Sequence, residues 1–264
     1  MAESVLLYRV NERGWLSGLI NMLRKENGLW WNTRRWWVQS IVWYFILNGL
    51  VTLLLWIIPA LDPSDTPDVE EIYGVFFQML PIATVGVMVL MQSSIVSEKQ
   101  SGTAAWIMSN PVSRISFILS KFIANTFAIL IILVGLQGLI GYAQFSLKAK
   151  VLMPMAPFLR AFGVLSLHLV FYIALALMLG AIFRGRGAVI GISLGLLVFQ
   201  DLASQILVIK WPWFPSLLPS TLGSYIPLLA GGGSIPSLNP IIVTSLLIPM
   251  FIVLAIWNFS KEEF

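Results

Sequence analysis

Residues 161–183 read AFGVLSLHLVFYIALALMLGAIF, twenty-three positions without a formal charge and with the chain's one histidine, His168. At about 1.5 Å per residue a helix of that length spans roughly 34 Å, enough to cross a hydrocarbon layer roughly 30 Å thick. The run is apolar on every face rather than along one stripe, so such a helix must be surrounded by protein or lipid on all sides. The rest of the chain decides between a soluble core and a membrane. Of 264 residues, 58% are hydrophobic and 11% charged, and comparable apolar runs recur at about 38–60, 73–96, 118–145, 158–183, 187–209 and 240–259. This predicts an all-α polytopic membrane protein of six transmembrane helices, divided into an N-terminal interface segment, 1–37, and a six-span domain, 38–264. The chain contains no cysteine, which excludes disulfides, thiolate metal sites and cysteine nucleophiles. Met1 to Val10 lack a short apolar core followed by a small-residue cleavage site, so no removable signal peptide is expected, and the length leaves no room for a separate soluble domain.

An even number of spans puts both termini on one side. Of sixteen Lys and Arg, twelve fall in the N-terminal segment (Arg9, Arg13, Arg24, Lys25, Arg34, Arg35), the second loop (Lys99, Arg114, Lys121), the fourth loop (Arg184, Arg186) and the tail (Lys261). Lys148, Lys150, Arg160 and Lys210 fall on the other side. The positive-inside rule therefore puts both termini in the cytoplasm of a cell-membrane protein, and marks the basic residues as orientation signals rather than a nucleic-acid patch. The first loop, LDPSDTPDVEE, with five acids and no base, fits the exterior.

Two irregular regions flank the spans. In RGWLSGLINMLRKENGLWWNTRRWW, Trp15, Leu16, Leu19, Ile20 and Leu23 share a helical stripe from which Asn21, Arg24 and Lys25 point away, which predicts a helix lying in the interface. Trp30, Trp31, Trp36 and Trp37 around Arg34 and Arg35 suit the headgroup level. Such a helix serves as a membrane anchor, or also rests on a cytoplasmic partner and transmits its movement. Residues 211–239 are too broken by Pro and Gly for one continuous helix and too apolar for a free loop. They are expected to re-enter against the outer mouth, with Trp211 and Trp213 at the interface, because irregular backbone at membrane depth must be covered by protein or line a wet cavity.

The second loop, SEKQSGTAAWIMSNPVSR (97–114), carries a compact apolar patch, Ala104, Ala105, Trp106, Ile107 and Met108. Gly102 and Thr103 can start a short helix, with Thr as its cap, and Asn110 before Pro111 can stop it. Two turns of helix are marginal in water, so lipid or protein must cover the patch. Glu98, Lys99, the SGT and SNPVSR segments and the following Lys121 resemble the signature of export-type permease subunits of ABC transporters, which lies in the first cytoplasmic loop after the second span. The resemblance extends in outline to the interface helix, the six spans and the re-entrant segment. It implies that Glu98, Lys99, Gly102, Thr103, Asn110, Pro111 and Arg114 belong to a coupling region (97–117), whose helix Ala104–Met108 sits in a cleft of an ATPase subunit. No G-x-x-x-x-G-K-[ST] occurs, so this chain would bind no cofactor itself. ATP and Mg would sit on the separate ATPase subunits, beneath a pair of permeases, identical or paralogous, in the lipid.

Polar residues inside spans are the candidate pathway: His168 near the midplane, and Asp201 in the outer half, with Gln200, Ser204 and Gln205 close in sequence. Gln78, Gln92, Asn125, Gln137 and Asn48 are expected to join helices to one another. No H-E-x-x-H, G-x-S-x-G or carboxylate cluster supports an intramembrane hydrolase. The scarcity of charge suits an amphipathic or hydrophobic cargo. An ion-gradient-driven transporter using His168 or Asp201, and a non-transporting membrane anchor, are the alternative readings.

Overall fold

The computed structural model describes residues 14–64 and 68–262. Arg9, Arg13 and the first-loop acid Asp65, used above in the charge count, lie outside the described residues. The fold is all-helical, and six of its helices are long and apolar enough to cross a membrane. The order is an N-terminal helix α1 (Leu19–Trp31), span α2 (Arg35–Leu61), span α3 (Val69–Gln100), a short helix α4 (Thr103–Met108), span α5 (Arg114–Ala149), span α6 (Met155–Ile182), span α7 (Arg186–Leu207), a second short helix α8 (Thr221–Ala230) and span α9 (Asn239–Ser260). The spans follow the expected apolar runs, with α3 and α5 extending further at both ends.

The stretch from Ala161 to Phe183 forms most of α6, the central post. Its apolar window is 72% buried, against 22% for α7 and 22% for α9. It takes the centre, where α3, α5, α7, α8 and α9 pack around it. Small residues set the close approaches. A Cβ at Gly86 of α3 would lie 1.8 Å from the Trp43 ring of α2, and one at Gly138 of α5 would lie 2.8 Å from the Phe162 ring of α6. Phe76, Phe77, Phe145, Phe158 and Phe162 form an edge-and-stack cluster joining α3, α5 and α6.

Polar cross-links do part of the joining. Asn48 Nδ2 donates to Gln137 Oε1 at 2.9 Å and to the Gln137 carbonyl at 3.2 Å, linking α2 to α5. Both residues follow or end a π-helical turn, Tyr44–Asn48 and Leu130–Leu136. Trp30 Nε1 donates to Asn125 Oδ1 at 3.0 Å, linking α1 to α5. Asn48, Asn125 and Gln137 thus join helices as expected, whereas Gln78 is exposed.

The segment 211–239 does fold back on the bundle. One turn of 3-10 helix, Phe214–Leu217, precedes α8, whose Leu222, Ile226 and Leu229 are buried against α6 and the start of α3. At the same end Asp62 closes α2. Its carboxylate accepts from the Ser64 hydroxyl at 2.6 Å and the Ser64 amide at 3.0 Å, and these donors hold it below the usual carboxylate range.

Candidate functional site

Two places stand out, one at each end of the bundle. At the first, α1, the 97–114 loop, the α6–α7 turn and the end of α9 converge. The N-terminal segment is stitched to the loop: Ser17 Oγ donates to the Pro111 carbonyl at 2.6 Å, and the Ser113 amide to the Ser17 carbonyl at 3.0 Å. Gly18 permits this, because its φ of 76° is left-handed and a Cβ would lie 2.9 Å from Val112 Cγ2.

Helix α4 answers what covers the loop's apolar patch. Ala104 is 0% and Ile107 4% exposed, both buried in this chain's own core, and Met108 packs against it. Trp106 alone projects, 70% exposed. The expectation that an outside surface must cover the whole patch is thus corrected: residues at i and i+3 seat the helix on the bundle, and i+2 points the other way. The helix starts at Gly102 and Thr103 as expected, but Thr does not cap it. Gly102, at φ 73°, is the N-cap and makes no side-chain cap bond, while Thr103 is the first helical residue, its hydroxyl 2.8 Å from that of Ser101. At the other end Asn110 Nδ2 and Ser109 Oγ donate to the Trp106 carbonyl at 2.9 and 2.7 Å, closing the helix before Pro111 as expected.

Behind α4 the charged residues turn inward. Lys25 of α1 lies 2.6 Å from Glu98 and 3.4 Å from Glu26, and Lys121 of α5 lies 2.8 Å from Glu26 and 3.0 Å from Glu98. Two lysines and two glutamates from three helices close a ring, with the Lys121 side chain 2% and that of Glu26 5% exposed. A small cavity of about 90 Å³ sits against it, lined among others by Arg35, Ser94 and Asn125. A second knot joins the loop to the tail. Lys99 Nζ lies 2.5 Å from Glu262 and donates to the Ala181 carbonyl at 2.9 Å, Glu262 reaches Arg184 at 3.4 Å, and Arg114 donates to the carbonyls of Ser260 and Glu262.

Several expectations change here. Lys121 is a buried residue of α5 rather than a loop charge. Glu98 and Lys99, assigned only to the coupling region, brace the loop from inside through Lys25, Lys121 and Glu262. The face of α1 that packs on the protein is Met22, Glu26 and Trp30, while Trp15 and Ile20 are exposed. Apolarity alone did not select that face, because Glu26 carries the charge that compensates Lys121. Trp30, expected at the headgroups, is 1% exposed beneath the Arg35 guanidinium, 4.0 Å from its ring centroid.

At the opposite end a cavity of about 500 Å³ opens between α3, α6, α7 and the segment leading into α8. His168 and Asp201, distant in sequence, both line it, with hydroxyls from Ser204, Ser220, Thr221 and Ser224 and apolar walls including Ile82, Val85 and Leu197. His168 Nδ1 lies 3.2 Å from the Pro219 carbonyl, an acceptor only, so Nδ1 carries the proton of that bond. Gln200 Oε1 accepts from the Ser220 amide at 3.0 Å, fixing the same segment to α7. Gln205 is exposed and does not line the cavity, although it lies one turn from Asp201 on α7. Sequence reasoning missed Ser220, Thr221 and Ser224: they sit in the re-entrant segment, whose return to the bundle was expected but whose register was not readable. It also missed Glu26, whose nearer cationic partner, Lys121, comes from far along the chain.

Among the described residues no group of His, Asp and Glu could hold a metal ion. Comparison with the curated proteins finds no match. A family model covers residues 60–264, from the end of α2 onward, leaving α1 and most of α2 outside it. The chain belongs to that family, DUF2705, which is described as a protein of unknown function.

Proposed function

We propose that the chain is the permease subunit of an ATP-driven exporter of the ABC type. In this reading it lies in the cell membrane with both termini in the cytoplasm, paired with a second permease and driven by separate ATPase subunits that hold ATP and Mg. The observation that supports it most is Trp106, an exposed indole on a two-turn helix whose neighbours Ala104 and Ile107 are anchored in the bundle. An exposed aromatic anchor on a rigid mount is the form of a hot spot for a partner's cleft. The mount is continuous with the spans: Glu98 ties the loop to α1 and α5, and Lys99 and Arg114 tie it to α6 and α9. A push on Trp106 would therefore move packed helices as units rather than bend a loop. The chain would do no chemistry of its own, and its task would be to convert nucleotide-driven movement into opening of the far end.

The test pairs the chain with a candidate ABC-type ATPase subunit co-expressed with it. Trp106→Glu should abolish the complex and the stimulation of ATP hydrolysis while leaving the permease folded. Unchanged assembly and unchanged stimulation would remove the coupling role. A second reading, an ion-gradient-driven transporter, is favoured by one observation, the meeting of His168 and Asp201 on one cavity. Transport that follows a proton or sodium gradient without any ATPase would select it.

A further inference from the structure

The 500 Å³ cavity has an unusual charge balance. Asp201 is the only charged residue on its walls and makes no ion pair among the described residues. The carboxylate is exposed to the cavity, unlike Glu26 and Lys121, the buried charges among the described residues, which pair with each other. A carboxylate carried by a membrane-spanning helix is costly unless water, a proton or a cation reaches it. His168, 2% exposed, adds a second electron-rich group: with Nδ1–H committed to Pro219, a neutral imidazole keeps Nε2 as an acceptor. The serine and threonine hydroxyls supply further acceptors, and Ile82, Val85, Leu197 and Pro81 supply apolar wall. The volume falls within the range of roughly 300–1,000 Å³ typical of small-molecule sites.

From this we infer that the cavity binds an amphipathic organic amine in its protonated form. Its ammonium group is held by Asp201 with the hydroxyls and His168 Nε2 as N–H acceptors, and its apolar body lies against the α3 and α7 walls. The inference names the cargo class for the transport reading and rests on it, but it concerns binding alone and can be tested without any ATPase.

The probe is monodansylcadaverine, a fluorescent primary amine, added to the full chain in phosphatidylcholine nanodiscs, with empty nanodiscs as the blank. Saturable binding is expected for the wild type. It should weaken about 10-fold or more in Asp201→Asn, be largely restored by Asp201→Glu, and be absent for the N-acetylated, uncharged probe. Asp201 is exposed and holds no structural ion pair, so Asp201→Asn is expected to fold, which an unchanged thermal transition would verify. Equal binding by Asp201→Asn, equal binding by the acetylated probe, or no saturable binding by the wild type would each overturn the inference. None of these outcomes bears on Trp106. Conversely, loss of the ATPase partnership would leave a positive binding result standing while removing the ATP-driven reading.

Discussion

At the end of the bundle that carries α1, Lys25, Glu26, Glu98 and Lys121 close a ring of opposite charges around the buried Glu26 and Lys121, and Lys99, Arg184 and Glu262 form a second knot. At the opposite end Asp201 stands on the wall of a 500 Å³ cavity with no cation beside it, and a second cavity of about 590 Å³ lies between Tyr73, Pro154 and Gly231. The first end spends its charges on cross-linking elements far apart in sequence. The second leaves polar groups facing open space. The difference teaches that the two ends tolerate change differently: the charged end is rigid because removing one member strands its partners, whereas the cavity end can lose a charge without losing its packing.

The largest effect should come from breaking the ring. Lys121→Met leaves Glu26 and Glu98 sharing Lys25 alone beside an apolar chain and should cost about 3 kcal/mol or more, read as a fall in the thermal midpoint in detergent. Adding Glu26→Gln and Glu98→Gln should recover much of the loss. If Lys121→Met is neutral, the ring does not hold the end together. Next, Ile107→Ala removes the anchor of α4 and should cost about 2–4 kcal/mol, with faster proteolysis within the 97–114 loop as the local readout. Gly86→Val forces a side chain into the Trp43 ring and should cost about 1–3 kcal/mol, a comparison lying outside both ends. Arg184→Ala removes an exposed arm of the second knot and should change stability by less than about 0.5 kcal/mol. Trp106→Glu should be silent in stability yet eliminate ATPase binding. A large stability loss there would mean that the indole is packed on its own chain.

How much of this was legible follows from the range of each signal. Span α6 was readable because its apolar run is continuous and long, and no other element is needed to recognise it. The end of α4 was readable from Asn110 and Pro111, since a cap and a helix breaker act within one turn. Its start at Gly102 and Thr103 was readable too, but the cap was misassigned to Thr, because Gly102 caps through backbone conformation rather than a side chain. The direction of Trp106 could not be read, because a five-residue apolar patch is equally consistent with being covered by its own bundle or by another protein. Glu26 looked like one acid among basic residues, and nothing local marks it as the counter-charge of a lysine ninety-five positions away.

The sequence by itself determined that this chain is helical and membrane-sized, because hydrophobic length and the need to satisfy backbone hydrogen bonds inside one segment are local properties. It also marked the 97–114 loop and the polar residues within spans. Only the tertiary structure decided which charges cancel, which way Trp106 points, and that His168 and Asp201 face one cavity. Those outcomes depend on long-range packing in which each partner is chosen by three-dimensional proximity, and proximity across helices leaves no periodic trace along the chain.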